Sequence, residues 1–241
     1  ILAHGMLTID GMPFSKTRGN VVWVKRDLLD KGIEPDAIRY FILSSTPFTR
    51  DLDFNATLLL SKVNDELIGI FGNYVNRALS FAYRYYGHVP DGELEKEVMA
   101  KIEEAIGEFE KTLDDLDLRH ICTSFMSLAS YGNEYFQSRE PWARFKTDPE
   151  ECAATIRNCL QLTKALAVLS EPAIPAKAQR IWEMLGLEGN VSSVGLEECL
   201  KPIPVGLEIK RPKILFKKLE PEVLKSIGEE LAKRRGGRPW T

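Results

Sequence analysis

The sequence predicts a mainly α-helical protein, built as an antiparallel helix bundle with a short mixed segment before it and an extended arm behind it. Apolar residues recur every three or four positions from Asn55 almost to residue 190, which is the period of amphipathic helices. Proline, glycine and aspartate interrupt this period at intervals, as in the short connections of helix bundles. We expect three parts, with boundaries at residues 1–53, 54–190 and 191–241.

Composition narrows the class of protein. The chain has 241 residues, 44% of them hydrophobic, and a formal net charge of -3, which is typical of a globular protein and excludes a polycation. No apolar run approaches the roughly 20 residues that a membrane-spanning helix needs, and no secretory signal is present. We therefore expect a cytoplasmic protein without a membrane partner.

Four cysteines are spread along the chain without a Cys-x-x-Cys pair, and they are Cys122, Cys152, Cys159 and Cys199. This spacing is not that of a zinc site, and the histidines form no obvious ligand cluster. We expect buried free thiols and no metal site.

The first 20 residues predict a strand, a turn and a polar loop. Residues 1–9 form a short apolar run, and the Asp10-Gly11 dipeptide that follows is typical of a hairpin turn. The loop from Ser15 to Asn20 offers cations and hydroxyl groups to an anion, a chemistry suited to phosphate. A loop that is merely solvated remains the alternative on these residues alone.

One or two helices are expected between Trp23 and Leu43, with Gly32 and Pro35 as the break between them. The next helix is long, running from Asn55 to Tyr86 with an apolar stripe and a stop at Gly87. Further helical patterns complete a bundle of about five helices, and they cover Glu93 to Leu113, Leu116 to Arg139, Pro149 to Leu169, and Pro175 to Leu187.

Prolines at 202, 204 and 212 break any helix in the next part of the chain. The apolar residues at 203, 205, 207 and 209 alternate with a period of two, so we expect a short exposed strand or an extended arm. Pro221 then suits the first turn of a last helix that reaches Arg235.

Two groups of residues in the bundle suit the recognition of unpaired bases. Asn73 and Arg77 are four residues apart, so a helix places an amide and a guanidinium on one face, one turn apart. The Pro141-Trp142 step ends a helix and leaves an indole at the turn. Bases in loops are bound by stacking on aromatic rings and by hydrogen bonds to their edges. The alternatives are a solvated helix face for the first group and a core or domain contact for Trp142.

Four stretches, taken in order, resemble the carboxy-terminal part of class I aminoacyl-tRNA synthetases, and within that class most of all the methionyl-tRNA synthetases. They are His4-Gly5, Gly11 to Asn20, Pro35 to Phe41, and Asp51 to Phe54. The polar loop is similar to the Lys-Met-Ser-Lys-Ser signature of that class. It departs at Pro13, which replaces the first lysine and removes one cation, and at Phe14, which replaces methionine.

The resemblance assigns roles to the residues singled out above. Lys16 matches the second lysine of the signature, which is implied to be catalytic, and Ser15, Lys16 and Thr17 would together bind ATP. Asn73 and Arg77 match an Asn-x-x-x-Arg helix of the family, and Trp142 matches the tryptophan of its Pro-Trp step. In the family these residues together read the methionine anticodon. The implied fold is an anticodon-binding helix bundle preceded by the end of a class I nucleotide-binding core, with Leu215-Phe216 returning the chain to the body.

The implied activity is that of methionine-tRNA ligase, which forms methionyl-adenylate from methionine and ATP, with Mg, and charges the methionine tRNA. The His-Ile-Gly-His type signature, the methionine pocket and the connective domain of the family, with its zinc ligands, are not found in this sequence. We therefore expect a carboxy-terminal fragment that is inactive alone. Two alternatives stay open: another class I synthetase, for leucine, valine, isoleucine or cysteine, and a helical protein-interaction module that never contacts RNA.

Overall fold

The computed structural model describes residues 5–46 and 50–235. His4, which belongs to the His-Gly pair of the resemblance, lies outside these residues.

A small three-stranded sheet opens the structure. Its strands are β1 (Leu7–Ile9), β2 (Met12–Pro13) and β3 (Leu52–Asp53), in the order β2-β1-β3. Strands β1 and β2 are antiparallel, whereas β1 and β3 are parallel. Asp10 and Gly11 both have positive φ, 53° and 67°, as the tight hairpin turn requires. The predicted turn is confirmed, and the strand expected over residues 1–9 is confirmed at residues 7–9, while residues 1–4 lie outside the described part; β3 was not predicted.

Two short helical turns, Val24–Leu28 and Leu29–Lys31, lead to α1 (Pro35–Ser45). Gly32 ends the second of these turns with φ of 85°, a value that glycine adopts without strain. Pro35 occupies the first turn of α1, where its missing N–H costs no hydrogen bond. The predicted break at Gly32 and Pro35 is confirmed.

A continuous helical stretch follows in three segments: α2 (Ala56–Ser61), a π-helical segment (Lys62–Gly72) and α3 (Asn73–Tyr85). The side chain of Asn55 caps its start by accepting a hydrogen bond from the Leu58 N–H at 2.9 Å. At its end, Gly87 has φ of 73° and its N–H donates to the Ala82 carbonyl at 2.9 Å. The predicted long helix is confirmed, while the π-helical segment was not foreseen.

The remaining helices are α4 (Lys96–Asp115), α5 (Arg119–Arg139), α6 (Pro141–Thr147), α7 (Pro149–Ser170), α8 (Pro175–Met184) and α9 (Pro221–Arg234). Contacts between opposite ends show that α4 and α5 are antiparallel. The Tyr135 hydroxyl near the end of α5 donates to Glu95 at the start of α4, at 2.6 Å. His120 at the start of α5 contacts Glu108 in the second half of α4, at 2.7 Å. The predicted helix bundle is confirmed, and α6 is an addition, since we expected only a turn at Pro141.

Helix α7 lies at the centre of the bundle and is buried on all sides along most of its length. It packs against α3, α4, α5, α6 and α8. All four cysteines of the chain are free and buried, as predicted. Burial raises the pKa of the Cys159 thiol in α7 to about 12, so this cysteine is held in its protonated form.

Between α8 and α9 the chain makes two short 3-10 turns, Val191–Ser193 and Leu196–Cys199, and then continues without a regular strand among the described residues. Of the two alternatives that we expected, it is the extended arm and not the short exposed strand. Ile203 and Ile209 are buried, and only Val205 of the alternating residues is well exposed. The chain instead pairs with the residues after α3, since the Val89 N–H donates to the Leu207 carbonyl at 2.9 Å. The arm is therefore held to the body at Ile203 and Ile209, while most of its other residues are exposed. Leu215 and Phe216 are both buried against the body, as predicted.

Across residues 5–46 and 50–235, no helix is both long enough and apolar enough to cross a membrane.

Candidate functional site

Asn73 and Arg77 lie on the face of α3 that meets α5. The Asn73 side-chain amide donates to the side-chain carbonyl of Asn133 at 2.9 Å. One turn further on, the Arg77 guanidinium donates to the side-chain carbonyl of Gln137 at 2.8 Å. Both pairs join residues 60 positions apart, so α3 and α5 run in the same direction and in register here. Asn73 and Arg77 thus lie on one face of α3, as predicted, and α5 supplies a side-chain amide as the partner of each.

Asn133 ties this pair of helices together. Its amide nitrogen donates to the Ile70 carbonyl at 3.0 Å and to the Ala129 carbonyl at 3.1 Å, while its oxygen accepts from Asn73. Ile70 belongs to the π-helical segment just before α3, where the helical hydrogen bonding departs from the α pattern. Asn133 therefore fixes both the backbone that precedes Asn73 and the orientation of the Asn73 side chain.

Trp142 is connected to the same place through Phe136. The Arg77 guanidinium lies over the Phe136 ring, 4.6 Å from its centroid, within the range of a cation–π contact. The Phe136 and Trp142 ring centroids are 5.9 Å apart with an interplanar angle of 35°. Phe136 is buried, whereas 46% of Trp142 is exposed. Arg77 and Trp142 thus meet at one buried ring, and Asn73 lies one helical turn before Arg77, bonded to Asn133.

An open groove of about 640 Å³ runs between α3 and α5 beside these residues. Most of the residues that line it have polar side chains, among them Asn73, Arg77, Asn133, Gln137 and Glu134, although apolar atoms form the larger part of its surface. Side-chain amides present both donors and acceptors, which match the edges of bases, and a nearby carboxylate disfavours phosphate. The polar groups of the groove are therefore suited to base edges, and the exposed indole of Trp142, connected to Arg77 through Phe136, is suited to stacking.

Sequence reasoning missed Asn133, Phe136 and Gln137. The signal that could have found two of them is their spacing, because Asn133 and Gln137 are four residues apart, like Asn73 and Arg77. Phe136 carried no such signal, since it belongs to the apolar stripe of α5.

The polar loop from Ser15 to Asn20, hereafter the phosphate loop, is a closed backbone hairpin. The Ser15 N–H donates to the Asn20 carbonyl at 2.7 Å, and the Asn20 N–H donates to the Ser15 carbonyl at 3.0 Å. The side chains at its tip, Lys16, Thr17 and Arg18, are exposed. The Ser15 and Thr17 hydroxyls are 3.2 Å apart, and the Lys16 ammonium lies 5.4 Å from the centroid of the Trp23 ring.

This arrangement places two cations and two hydroxyl groups on one short hairpin, which fits a phosphate chain. The phosphate loop and the groove are separate sites, because the loop is attached to the small sheet and the groove lies between two bundle helices. Among residues 5–46 and 50–235, no cluster of three His, Cys, Asp or Glu side chains could hold a metal ion.

Comparison with known proteins gives two family matches. Residues 88–236 match the model described as the anticodon binding domain of methionyl tRNA ligase. Residues 1–79 match the model described as tRNA synthetases class I (M). These matches favour the methionyl family over the synthetases for leucine, valine, isoleucine and cysteine.

Among curated proteins, methionine-tRNA ligases of two archaea are similar to this chain. That of Methanothrix thermoacetophila is 42% identical over 236 residues, which is 98% of this chain and 35% of the relative. That of Methanosarcina acetivorans is also 42% identical, over 98% of this chain and 33% of the relative. The chain thus spans about a third of the length of these relatives.

Solved structures of Mycobacterium tuberculosis methionyl-tRNA synthetase share the fold. The apo form superposes with a TM-score of 0.79 at 21% identity, over 91% of this chain and 43% of that one. The form bound by methionyl-adenylate gives 0.80 at 23% identity, over 89% and 43%. With both family models matching in order along the sequence, this chain belongs to the methionyl-tRNA ligase family and comprises the end of its class I catalytic domain together with its anticodon-binding helical domain.

Proposed function

We propose that this chain supplies the anticodon-reading groove and the ATP-phosphate loop of a methionine-tRNA ligase. The observation that supports the first role is that Asn73 and Arg77 line one groove with side-chain amides of α5, while Arg77 also contacts Phe136, the ring against which Trp142 packs. Asn73 and Arg77 offer hydrogen bonds to base edges, and Trp142 offers a stacking surface. These three residues are the proposed readers of the methionine anticodon.

The phosphate loop is assigned the second role. Lys16 is the proposed catalytic residue, holding the phosphates of ATP as negative charge shifts onto pyrophosphate, with the hydroxyls of Ser15 and Thr17 as additional donors. In the whole ligase, a carboxylate oxygen of methionine attacks the α-phosphorus of ATP and pyrophosphate leaves. A ribose hydroxyl of the terminal adenosine of the tRNA then attacks the methionyl carbonyl carbon, and AMP leaves. ATP would enter with Mg, and the proposed setting is the cytoplasm.

The test uses a ligase of full family length that carries this chain, and it measures the affinity of this ligase for methionine tRNA. The comparison is with the same tRNA carrying one changed anticodon base, at fixed moderate salt. We expect the change to weaken binding roughly 5- to 150-fold, which is about 1 to 3 kcal/mol for one stacked and hydrogen-bonded base. A tRNA with one base changed in another loop serves as the control and should bind normally.

Equal binding of all three tRNAs would contradict anticodon reading by this groove. The salt dependence of the binding separates this function from that of a protein-interaction module, because phosphate contacts weaken steeply as salt rises. No detectable binding to RNA at low salt would favour the interaction module.

A further inference from the structure

The carboxyl end of α9 lies against the base of the phosphate loop, although the two are more than 200 residues apart in the sequence. The Arg235 guanidinium donates to the Asp10 carboxylate, in the turn between β1 and β2, and to the side-chain carbonyl of Asn20, the last residue of the loop. The Arg235 side chain is only 6% exposed and that of Asp10 only 19%. This ion pair is therefore largely shielded from water.

Asn20 is the residue that closes the loop. Its side-chain nitrogen donates to the carbonyls of Met12 at 3.0 Å and Pro13 at 2.9 Å, on the opposite flank of the hairpin. Its side-chain oxygen is free to accept from Arg235 because both donor hydrogens point the other way. Arg235 thus holds the one side chain that joins the two flanks of the phosphate loop.

Arg234 holds the segment that follows the loop. It donates to the Val21 carbonyl at 2.8 Å and to the fully buried carboxylate of Asp27 at 2.7 Å. The same carboxylate oxygen accepts from the Trp23 N–H at 2.7 Å. The Trp23 ring in turn lies 5.4 Å from the Lys16 ammonium. Through Asp27, Arg234 therefore helps to fix the residue that contacts the proposed catalytic lysine.

Gly19 shows how closely the two segments approach. Its φ is 70°, and a Cβ built at this position would lie 2.2 Å from the carbonyl oxygen of Arg234. Only glycine leaves room for the helix end at this point of the loop. The tip side chains, Lys16 to Arg18, remain exposed.

We propose that Arg234 and Arg235 are positioning residues that hold the base of the phosphate loop and thereby set where Lys16 meets the phosphates of ATP. The proposal rests on the proposed function of the loop. The two arginines contact neither Lys16 nor Thr17, so they act through Asn20, Asp10, Asp27 and Trp23. Without Arg235, the Asp10 carboxylate and the Asn20 side-chain carbonyl lose a shielded partner, and the hairpin loses one of the contacts that fix it to the end of α9.

The first test measures amide hydrogen exchange in a ligase of full family length that carries this chain. Arg235→Ala should increase the exchange rate of peptides covering residues 10–20 at least fivefold and leave the peptides of α5 and α7 unchanged. Lys233→Ala is the matched control, because it removes the same charge from the same helix end while its side chain is 71% exposed and pairs with Glu230 of the same helix at 3.6 Å. Unchanged exchange over residues 10–20, or an equal increase across the bundle, would overturn the proposal.

The second test measures methionine-dependent exchange of pyrophosphate into ATP. Arg235→Ala and Asp10→Asn should each raise the KM for ATP at least fivefold with little change in the KM for methionine, and the double variant should lose no more than either single variant. Arg235→Lys, which keeps the charge but cannot reach both partners with a planar fork, should fall between wild type and Arg235→Ala. Additive losses in the double variant would contradict a shared contact.

The two tests separate the inference from the proposed function. If the unaltered ligase shows no methionine-dependent exchange, the proposed function fails, whereas the hydrogen-exchange result still decides whether α9 holds the loop. If the ligase is active and Arg235→Ala behaves like Lys233→Ala in both tests, the positioning role is wrong.

Discussion

The Arg77 guanidinium lies 4.6 Å from the centroid of the Phe136 ring, and it reaches that ring from the neighbouring helix. Phe136 is a buried residue of the α5 core stripe, yet it also contacts the half-exposed ring of Trp142. The proposed reading surface is therefore attached directly to the core of the bundle. Because Arg77 also donates to Gln137, its position is fixed at two points before any ligand arrives, which lowers the entropy cost of binding.

Phe136→Leu should weaken the binding of methionine tRNA. Leucine keeps the site buried and apolar but removes the aromatic face under Arg77 and beside Trp142. A cation–π contact contributes about 0.5 to 2 kcal/mol, so we expect roughly a 2- to 30-fold rise in Kd. The control is Phe125→Leu, the same change in the buried part of the same helix, which should lower stability without changing the Kd. Equal effects of the two variants on Kd would contradict the role of Phe136.

Asn133→Ala should reduce both stability and discrimination between anticodons. The variant leaves the Ile70 carbonyl without its side-chain donor and releases Asn73. Loss of a part-buried hydrogen bond of this kind costs about 0.5 to 1.5 kcal/mol, which urea unfolding would measure. Ser130→Ala, which removes a hydroxyl donating only to the Met126 carbonyl one turn back, is the control. If Asn133→Ala discriminates between the two anticodons as well as wild type does, Asn73 is not positioned by Asn133.

Local sequence patterns were sufficient for much of the fold. The Asp10-Gly11 turn, the break at Gly32, the apolar stripe of α3 and the stop at Gly87 each depend on residues within a few positions of one another. The placement of Asn73 and Arg77 on one face followed from helical geometry alone. These features could be predicted because their causes are contained in short segments.

What the sequence did not reveal depends on contacts between distant segments. The pairing of Asn73 with Asn133 joins residues 60 positions apart, and no local pattern specifies it. The alternation of residues 203–209 predicted a short exposed strand or an extended arm, but it could not show where this segment is attached to the bundle. Gln161 in the central helix instead accepts from the Ile203 N–H at 2.7 Å and donates to the carbonyls of Cys199 and Lys201, so the start of the arm is held within the body.

Trp142→Ala should weaken tRNA binding by roughly 1 to 3 kcal/mol, the usual contribution of one stacked base. Trp23→Ala is a matched control, because Trp23 is 41% exposed and Trp142 is 46% exposed, yet Trp23 lies beneath the phosphate loop. We expect Trp23→Ala to leave the affinity for tRNA unchanged and to alter the use of ATP. An unchanged tRNA affinity in Trp142→Ala would remove this residue from the reading surface.

Lys16→Ala should slow methionyl-adenylate formation in a ligase of full family length that carries this chain, with little change in tRNA affinity. Loss of one preorganised donor to a developing charge costs roughly 10²- to 10³-fold in rate. Lys25→Ala is the control, since the Lys25 side chain is 84% exposed and pairs with Asp30 at 3.5 Å, away from the loop. Pyrophosphate exchange measures the rate, and filter binding measures the affinity. A normal rate in Lys16→Ala would exclude its catalytic role.

Gly132→Ala should destabilise the bundle, whereas Gly107→Ala should not. A Cβ at Gly132 would lie 2.5 Å from the ring of Tyr74, which is fully buried and donates its hydroxyl hydrogen to the Cys159 carbonyl at 2.9 Å. The Tyr74 ring is fixed by its bond to α3 at one end and by this hydrogen bond at the other, so it cannot move away from the new Cβ without breaking the hydrogen bond. Overpacking of this kind costs about 1 to 3 kcal/mol.

Gly107 lies in the neighbouring helix α4 with open space where its Cβ would be. Alanine there gains about 0.5 to 1 kcal/mol of helix stability, and the same gain applies at Gly132 before the clash is counted. The difference between the two variants in the free energy of unfolding, measured in urea, therefore isolates the contact between α3 and α5 on which the groove depends. Equal free energies would mean that the Tyr74 ring moves freely, and that the register between these helices is fixed by the Asn73 and Arg77 pairs alone.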